Sequence, residues 1–146
     1  MREILFRGKR LANKKWVEGY LFIQFNTLTG KDDYYIRCGD TDYLVIPETV
    51  GQYTGLTDKN GNKIFEGDIV KIMYLFGWDS EQEKYVPEEE YISKVYSIDA
   101  CPFCVDLQQC DSDMTPIAWL DWAYDDVEIE IIGNIHDNPE LLGGEP

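Results

Sequence analysis

The sequence predicts a mainly β fold, a small barrel or sandwich with only short helical pieces. Three observations carry that reading. Runs rich in aromatic and β-branched residues recur at short intervals, as strands require. Glycine, proline and Asn-Gly signals punctuate them. Between them lies no amphipathic segment long enough for a βαβ crossover helix, which argues against a doubly wound parallel sheet.

Taken in order, Ile4-Leu5-Phe6 opens a short strand. Trp16 to Phe25 is a long aromatic run with Gly19 as a candidate bulge. Tyr34 to Cys38 and Tyr43 to Ile46 are divided by Gly39-Asp40, and Pro47 ends the second. Gly51 to Leu56 leads into a turn over Thr57 to Lys63, where both residues of Asn60-Gly61 tolerate positive φ. Asp68 to Tyr74 begins with the alternation of a half-buried strand. Residues 77–90, rich in Asp, Glu, Gly and Pro, read as a loop. Tyr91 to Ile98 reads as one strand, and Phe103 to Leu107 more weakly as another. Thr115 to Tyr124 suits one or two helical turns, with Pro116 at the first helical position. Val127 to Ile132 is a strand with Val127, Ile129 and Ile131 on one face. Asn138-Pro139-Glu140 supplies an N-cap, an N1 proline and a first-turn acid for a C-terminal helical turn stopped by Gly143. Lys15 to Phe22 and Lys63 to Val70 share the order basic, two apolar, Glu-Gly, any residue, two apolar. That order suggests either two related β units or a chance likeness. Gly67-Asp68 opening an apolar run is a pattern met at the entry to SH3-like barrels, which is a fold-level analogy.

The chain's 146 residues suit one domain with a real core. A division into an N-terminal β lobe over about 1–50 and a C-terminal β-barrel lobe over about 51–146 fits the pattern. At 44% hydrophobic and 14% aromatic the chain is too apolar for intrinsic disorder. No stretch approaches a membrane-spanning length, and the N-terminus lacks the apolar core of a secretory leader, so a cytoplasmic location is expected.

The formal net charge is −15, which argues against direct binding to nucleic-acid phosphates. It is unevenly placed. Residues 1–31 hold seven basic and two acidic side chains, a net of +5, and the remainder holds six and 26, a net of −20. A basic segment beside an acidic body either packs on its own body or meets a second copy as a homo-oligomer. Glu88-Glu89-Glu90 reads as a solvated edge, while Asp121, Asp125, Asp126, Glu128 and Glu130 lie close together with no base between them. Such a patch serves as a solubilising surface, a divalent-cation site, or a mimic of the DNA phosphate field that captures a DNA-binding protein. Trp119 and Trp122 beside Asp121 offer a protein-binding surface together with Asp125 and Asp126.

The residues able to carry chemistry are few. His136 is the single histidine, and no nucleophile-elbow, P-loop or dinucleotide glycine pattern occurs. Cys101-Pro102-Phe103-Cys104 is a lone C-x-x-C, and the residues after it read partly helical, as a redox thiol at a helix N-terminus requires. Cys101, Cys104 and Cys110, with Cys38 or His136, are the candidate zinc ligands. The preferred reading is structural thiols without disulfides, with zinc or redox use as the alternatives. Asp58, Asn60 and Asn62 alternate faintly like a calcium loop, but position 12 is Ile69 rather than an acid, so a turn is expected.

The segment Gln52 to Val70, Q-Y-T-G-L-T-D-K-N-G-N-K-I-F-E-G-D-I-V, closely resembles the signature of the YopX family of phage and prophage proteins. The opening M-R-E-I-L-F-R and the stretch V-E-I-E-I-I-G-N-I-H-D-N-P-E-L-L at 127–142 resemble the family's two ends. The motif positions are Tyr53, Thr54, Gly55, Leu56, Asp58, Lys59, Asn60, Gly61, Glu66, Gly67, Asp68, Gly133, Asn134, Asn138 and Pro139. The resemblance implies a single YopX-like domain, mainly β with an SH3-like barrel component, encoded by a phage, a prophage or a host carrying one. It brings no catalytic residues and no cofactor. The expected function is that of a non-enzymatic accessory protein acting by protein–protein contact. A nucleic-acid-mimicking inhibitor, or a zinc or redox protein at the cysteine cluster, stands as the alternative.

Overall fold

The computed structural model describes residues 4–74, 77–86, 89–98, 101–106, 114–116 and 127–142. The described residues are mainly β, and their only helical pieces are 3-10 turns at Pro47–Thr49 and Pro139–Leu142. None of them forms a helix long and apolar enough to cross a membrane. The chain divides into two compact units, Met1–Gly55 and Leu56–Pro146.

The first unit is built on β1 (Phe6–Lys9), β2 (Trp16–Asn26), β3 (Lys31–Cys38) and β4 (Thr41–Val45), antiparallel in the order β4-β3-β2-β1. The start of β5 (Gly51–Thr57) pairs the free side of β1. β2 is long because it serves two neighbours: Trp16–Gly19 pair with β1, and Tyr20–Asn26 with β3. Gly19 falls where the partner changes. Its ladder is regular, so the expected bulge is corrected to a close approach: a β-carbon there would run into the Arg37 carbonyl oxygen. Past β1, Arg10 bridges Val45, and the Ile46 amide donates to the Lys9 carbonyl at 2.9 Å. The sheet curls until the end of its first strand and its fourth strand touch at one bridge, and it stays open. Ile36 and Val45 are buried inside the curl, and a β-carbon at Gly8 would sit 3.2 Å from each.

The second unit takes in the end of β5 and its neighbour β6 (Lys63–Phe65), then β7 (Asp68–Tyr74), β8 (Gly77–Asp79) and β9 (Lys84–Val86). It continues with β10 (Glu89–Lys94), β11 (Tyr96–Ile98), β12 (Cys101–Asp106), β13 (Met114–Pro116) and β14 (Val127–Asn134). β7 lies at the centre of an antiparallel sheet ordered β10-β7-β14, so among the described residues the expected C-terminal barrel is corrected to open sheets. Ile69, Val70, Ile72 and Met73 are all buried, because β7 is covered on both faces. The core joins Ile64, Val70, Ile72, Val95 and Ile129, with Leu56, Tyr91 and Ile131 packed against it. Buried aliphatic side chains of this kind contribute about 1.5–3 kcal/mol each, and they fix the register of the sheet.

Several local expectations are corrected. Residues 77–86 are not loop but a hairpin, β8 on β9, whose three-residue strands are too short to show a period. The strand read over Tyr91–Ile98 is two, split at Val95, whose amide and carbonyl are taken by Asp68 O and Gly67 N, both at 2.8 Å. Met114–Pro116 is strand rather than the start of a helix, because it pairs with β12; residues 117–124 of that expectation lie outside the described residues. The likeness of Lys15–Phe22 to Lys63–Val70 is not a structural repeat. Gly19 lies within a regular strand, whereas Gly67 makes a turn at φ +89°.

Candidate functional site

The motif Asp58-Lys59-Asn60-Gly61 forms the turn between β5 and β6. The Asp58 amide donates to the Asn62 carbonyl at 2.8 Å, and Gly61, at φ +83°, donates to the Asp58 carbonyl at 3.0 Å. Asp58 is only 6% exposed and its carboxylate is fully engaged. Oδ1 accepts the amides of Asn60 (3.0 Å) and Asn62 (2.9 Å), the local Asx bonding that this residue type favours in turns. Oδ2 accepts the amide of Ile131, in β14, at 3.1 Å. The next residue completes the contact, for the Lys59 amide donates to the Ile129 carbonyl at 2.8 Å. The Lys59 ammonium stands 2.9 Å from Glu130 and 3.8 Å from Glu128.

The electrostatics follow from these contacts. Burial raises the Asp58 pKa, but the amides of Ile131, Asn62 and Asn60 together outweigh it and hold the carboxyl below its ordinary value. The hydrogen bond to Glu130 raises the Lys59 pKa against a smaller opposing effect of desolvation, and the charges of Glu130, Glu128 and Asp58 add to the rise. Two of the five clustered acids are thus partnered by a base from another part of the chain. The one hint of this in the sequence is a lysine at a turn tip and two acids alternating along a strand.

The remaining motif residues also serve the backbone. Gly67 donates to Val95 O and accepts from Ile135 N at 2.8 Å, so one turn ties the start of β7 to two other segments. Asp68, 1% exposed, accepts the buried Phe65 amide at 2.8 Å. Glu66 lies half-buried in the same turn. Asn134 Oδ1 accepts the amides of His136 (3.0 Å) and Asp137 (2.9 Å), and Asn138 Oδ1 accepts that of Asn134 (3.3 Å). His136 is therefore part of this turn. A β-carbon at Gly133 would approach Asn138 Oδ1 to 2.6 Å. Pro139 opens the C-terminal 3-10 turn. In β5, Tyr53 and Thr54 are buried, Tyr53 donating to Leu5 O at 2.7 Å, and Gly55 takes φ +89°. Leu56 joins the core of the second unit.

The cysteine motif is corrected in kind. Cys101 and Cys104 lie in β12, which pairs with β11 on one side and β13 on the other, so Cys104 does not open a helix. A thiolate-stabilising helix N-terminus is absent there because the backbone runs in ladders. Cys110 lies outside the described residues, as do Trp119, Asp121, Trp122, Asp125 and Asp126. Cys38 is exposed at the end of β3. Among the described residues no three of His, Cys, Asp and Glu converge on a metal position.

A second candidate surface lies on the first unit. Alternation places Trp16, Glu18, Tyr20 and Phe22 on one face of β2, opposite Lys9, Arg7, Arg37 and Tyr35. Arg7 and Lys9 lie over the Trp16 ring at 4.7 and 5.5 Å. Arg37 lies 5.1 Å from the Phe22 ring, which stacks on Tyr35 at 5.1 Å. Asp42 grips Arg37 in two bonds of 2.7 and 3.1 Å. Part of the basic N-terminal segment therefore packs against aromatic rings of its own unit. Nearby, Arg10, Leu11, Ala12, Asp42, Tyr43 and Leu44 line an open depression of about 260 Å³, below the usual size of a small-molecule pocket.

These features define a small, mainly β protein whose signature residues are bound largely to its own backbone. The chain belongs to the YopX protein family, whose model matches residues 5–143. It is 32% identical over 84 residues to the SPbeta prophage-derived uncharacterized protein YopX of Bacillus subtilis (strain 168). That match covers 58% of this chain and 53% of the relative, about half of its length. The crystal structure of protein EF1440 from Enterococcus faecalis is similar with a TM-score of 0.53 at 24% identity, over 97% of this chain and 99% of that one. The crystal structure of yopX from Bacillus subtilis is similar with a TM-score of 0.54 at 20% identity, over 94% and 96%. At these identities the two structures speak for the fold.

Proposed function

We propose that the protein is a non-enzymatic prophage accessory module that works by protein–protein contact through the hairpin of β2 and β3. One observation carries this reading: the hairpin leaves Ile23 51% and Phe25 60% exposed on one face of β2, with Leu28 95% exposed in the turn beyond them. A cluster of exposed large apolar side chains is the usual mark of an interaction surface. The ring–cation pairs on the other face of the same hairpin, with Tyr20 69% exposed beside them, add the Trp, Tyr and Arg composition of binding hot spots, already ordered, which lowers the entropy lost on docking. Rings covered by their own cations are poor platforms for stacking nucleobases, which favours a protein partner over single-stranded nucleic acid. A second copy of the chain is one such partner.

The test compares the wild type with a Phe25→Glu, Leu28→Glu variant, both residues lying in the exposed hairpin. Mass in solution is measured at low and high salt, and host-lysate proteins captured by each form are compared. Self-association or specific capture that the variant loses supports the reading. A monomer that captures the same proteins with or without the substitutions overturns it.

A further inference from the structure

We propose that the outer edge of β14 is a strand-addition site for a basic, extended segment of another protein, and that Asp58-Lys59 is its built-in stand-in. This goes beyond the hairpin reading and rests on a different unit of the chain.

β14 is an edge strand, since the sheet runs β10-β7-β14 and no described strand pairs with its far side. Edge strands present unpaired amides and carbonyls that a further strand can join. Here the chain fills one such position itself. The Lys59 amide donates to Ile129 O at 2.8 Å, and the Ile131 amide donates to Asp58 Oδ2 at 3.1 Å. A donor to residue i−1 and an acceptor from residue i+1 are the two bonds that a strand residue makes in a parallel ladder, centred here on Glu130. The Asp58 carboxylate stands for the missing strand's carbonyl. Among the described residues Asn138 fills a second position, accepting the Asn134 amide at 3.3 Å and donating to the Asn134 carbonyl at 2.8 Å, so Val127–Ile131 is the stretch offered to a partner.

The stand-in also indicates what the edge prefers. Glu128 and Glu130 alternate on one face of β14, with side chains 42% and 33% exposed, and Lys59 reaches both. An incoming strand with Lys or Arg at alternate positions meets the same two carboxylates. A second copy of β14 would set Glu against Glu, so the occupant is a basic partner and not this strand again. Ion pairs this exposed hold weakly, and the two bonds at Ile129 and Ile131 are replaced in kind by a segment that makes several ladder bonds at once.

The experiment titrates the isotope-labelled full chain with the blocked peptide acetyl-Val-Lys-Val-Lys-Val-amide and follows amide resonances. Shifts centred on Ile129, Ile131 and Lys59 are expected, weakening as salt rises. Glu128→Gln and Glu130→Gln should each weaken binding roughly threefold, the value of one exposed ion pair. Lys59→Ala removes only the ammonium that competes for Glu128 and Glu130, leaving the backbone amide at 59 and the Asp58 bonds in place, and should tighten binding roughly threefold. Peptide that leaves Ile129 and Ile131 unmoved overturns the proposal. So does an acidic peptide, acetyl-Val-Glu-Val-Glu-Val-amide, that binds equally well, or a Lys59→Ala variant that binds no tighter. Failure of the hairpin variant would not touch this result.

Discussion

The carboxylate of Asp58 and the amide of Ile131 lie 73 positions apart in the chain and 3.1 Å apart in space. The same carboxylate also closes its own turn through Asn60 and Asn62. A local turn signal and a long-range tether are therefore one side chain. Truncation to alanine strands three amides at once, so Asp58→Ala should cost about 2–3 kcal/mol in unfolding free energy. Asp58→Asn keeps the size but turns an N–H₂ group towards amide donors, and should recover only part of the loss. Urea denaturation of both variants checks this, and an alanine variant as stable as the wild type would refute the tether.

The same bonds set a pH dependence. Burial works against the charged Asp58 carboxylate, but the three amides outweigh it and depress its folded-state pKa. As pH falls, the unfolded chain takes up this proton first. The contribution is therefore complete above the unfolded value of about 3.9 and is lost as pH drops through the lower folded value. Stability curves of the wild type and Asp58→Asn should converge in that acid range and separate above it. Parallel curves through the range would assign the acid sensitivity to other groups.

The parts legible in the sequence are those decided by neighbours along the chain. β14 declares itself by alternation and β7 as a short, largely β-branched apolar run, and the Asx bonds of Asp58 span only two and four residues. What was not legible depends on docking. The Lys59 pairing with Glu130 exists only once the turn meets β14, and the β8–β9 hairpin is too short to show a period. The Glu-Gly pairs at 18–19 and 66–67 look alike in sequence. Yet one glycine is required by a neighbouring carbonyl and the other by a positive φ.

That contrast between glycines is measurable. At Gly19 a β-carbon meets the Arg37 backbone, which is held in the ladder and cannot yield cheaply. Gly19→Ala should therefore cost about 3 kcal/mol, the upper end for overpacking. Gly30 has φ +72° and nothing within 4 Å of an added β-carbon. Gly30→Ala meets only the left-handed backbone penalty, about 1 kcal/mol. Chemical denaturation should rank the two in that order. Equal losses would mean that the close approach at Gly19 relaxes.

Asp68 is the buried counterpart of Asp58. Its Oδ2 accepts the Phe65 amide at 2.8 Å across the Glu66-Gly67 turn, while its own carbonyl accepts Val95 N. Alanine at 68 leaves that carbonyl in place but strips the Phe65 amide of its partner in a site that water does not reach. The loss should be about 2–3 kcal/mol, and it should spread. Gly67 is tied to both Val95 and Ile135, so a loosened turn frees the entry to β7 and the exit from β14 together. Amide hydrogen exchange in Asp68→Ala should show faster exchange at Phe65, Val95 and Ile135, with the first unit, Met1–Gly55, unchanged. Exchange that rises only at Phe65 would reduce Asp68 to a local cap and remove the turn from any role in joining these strands.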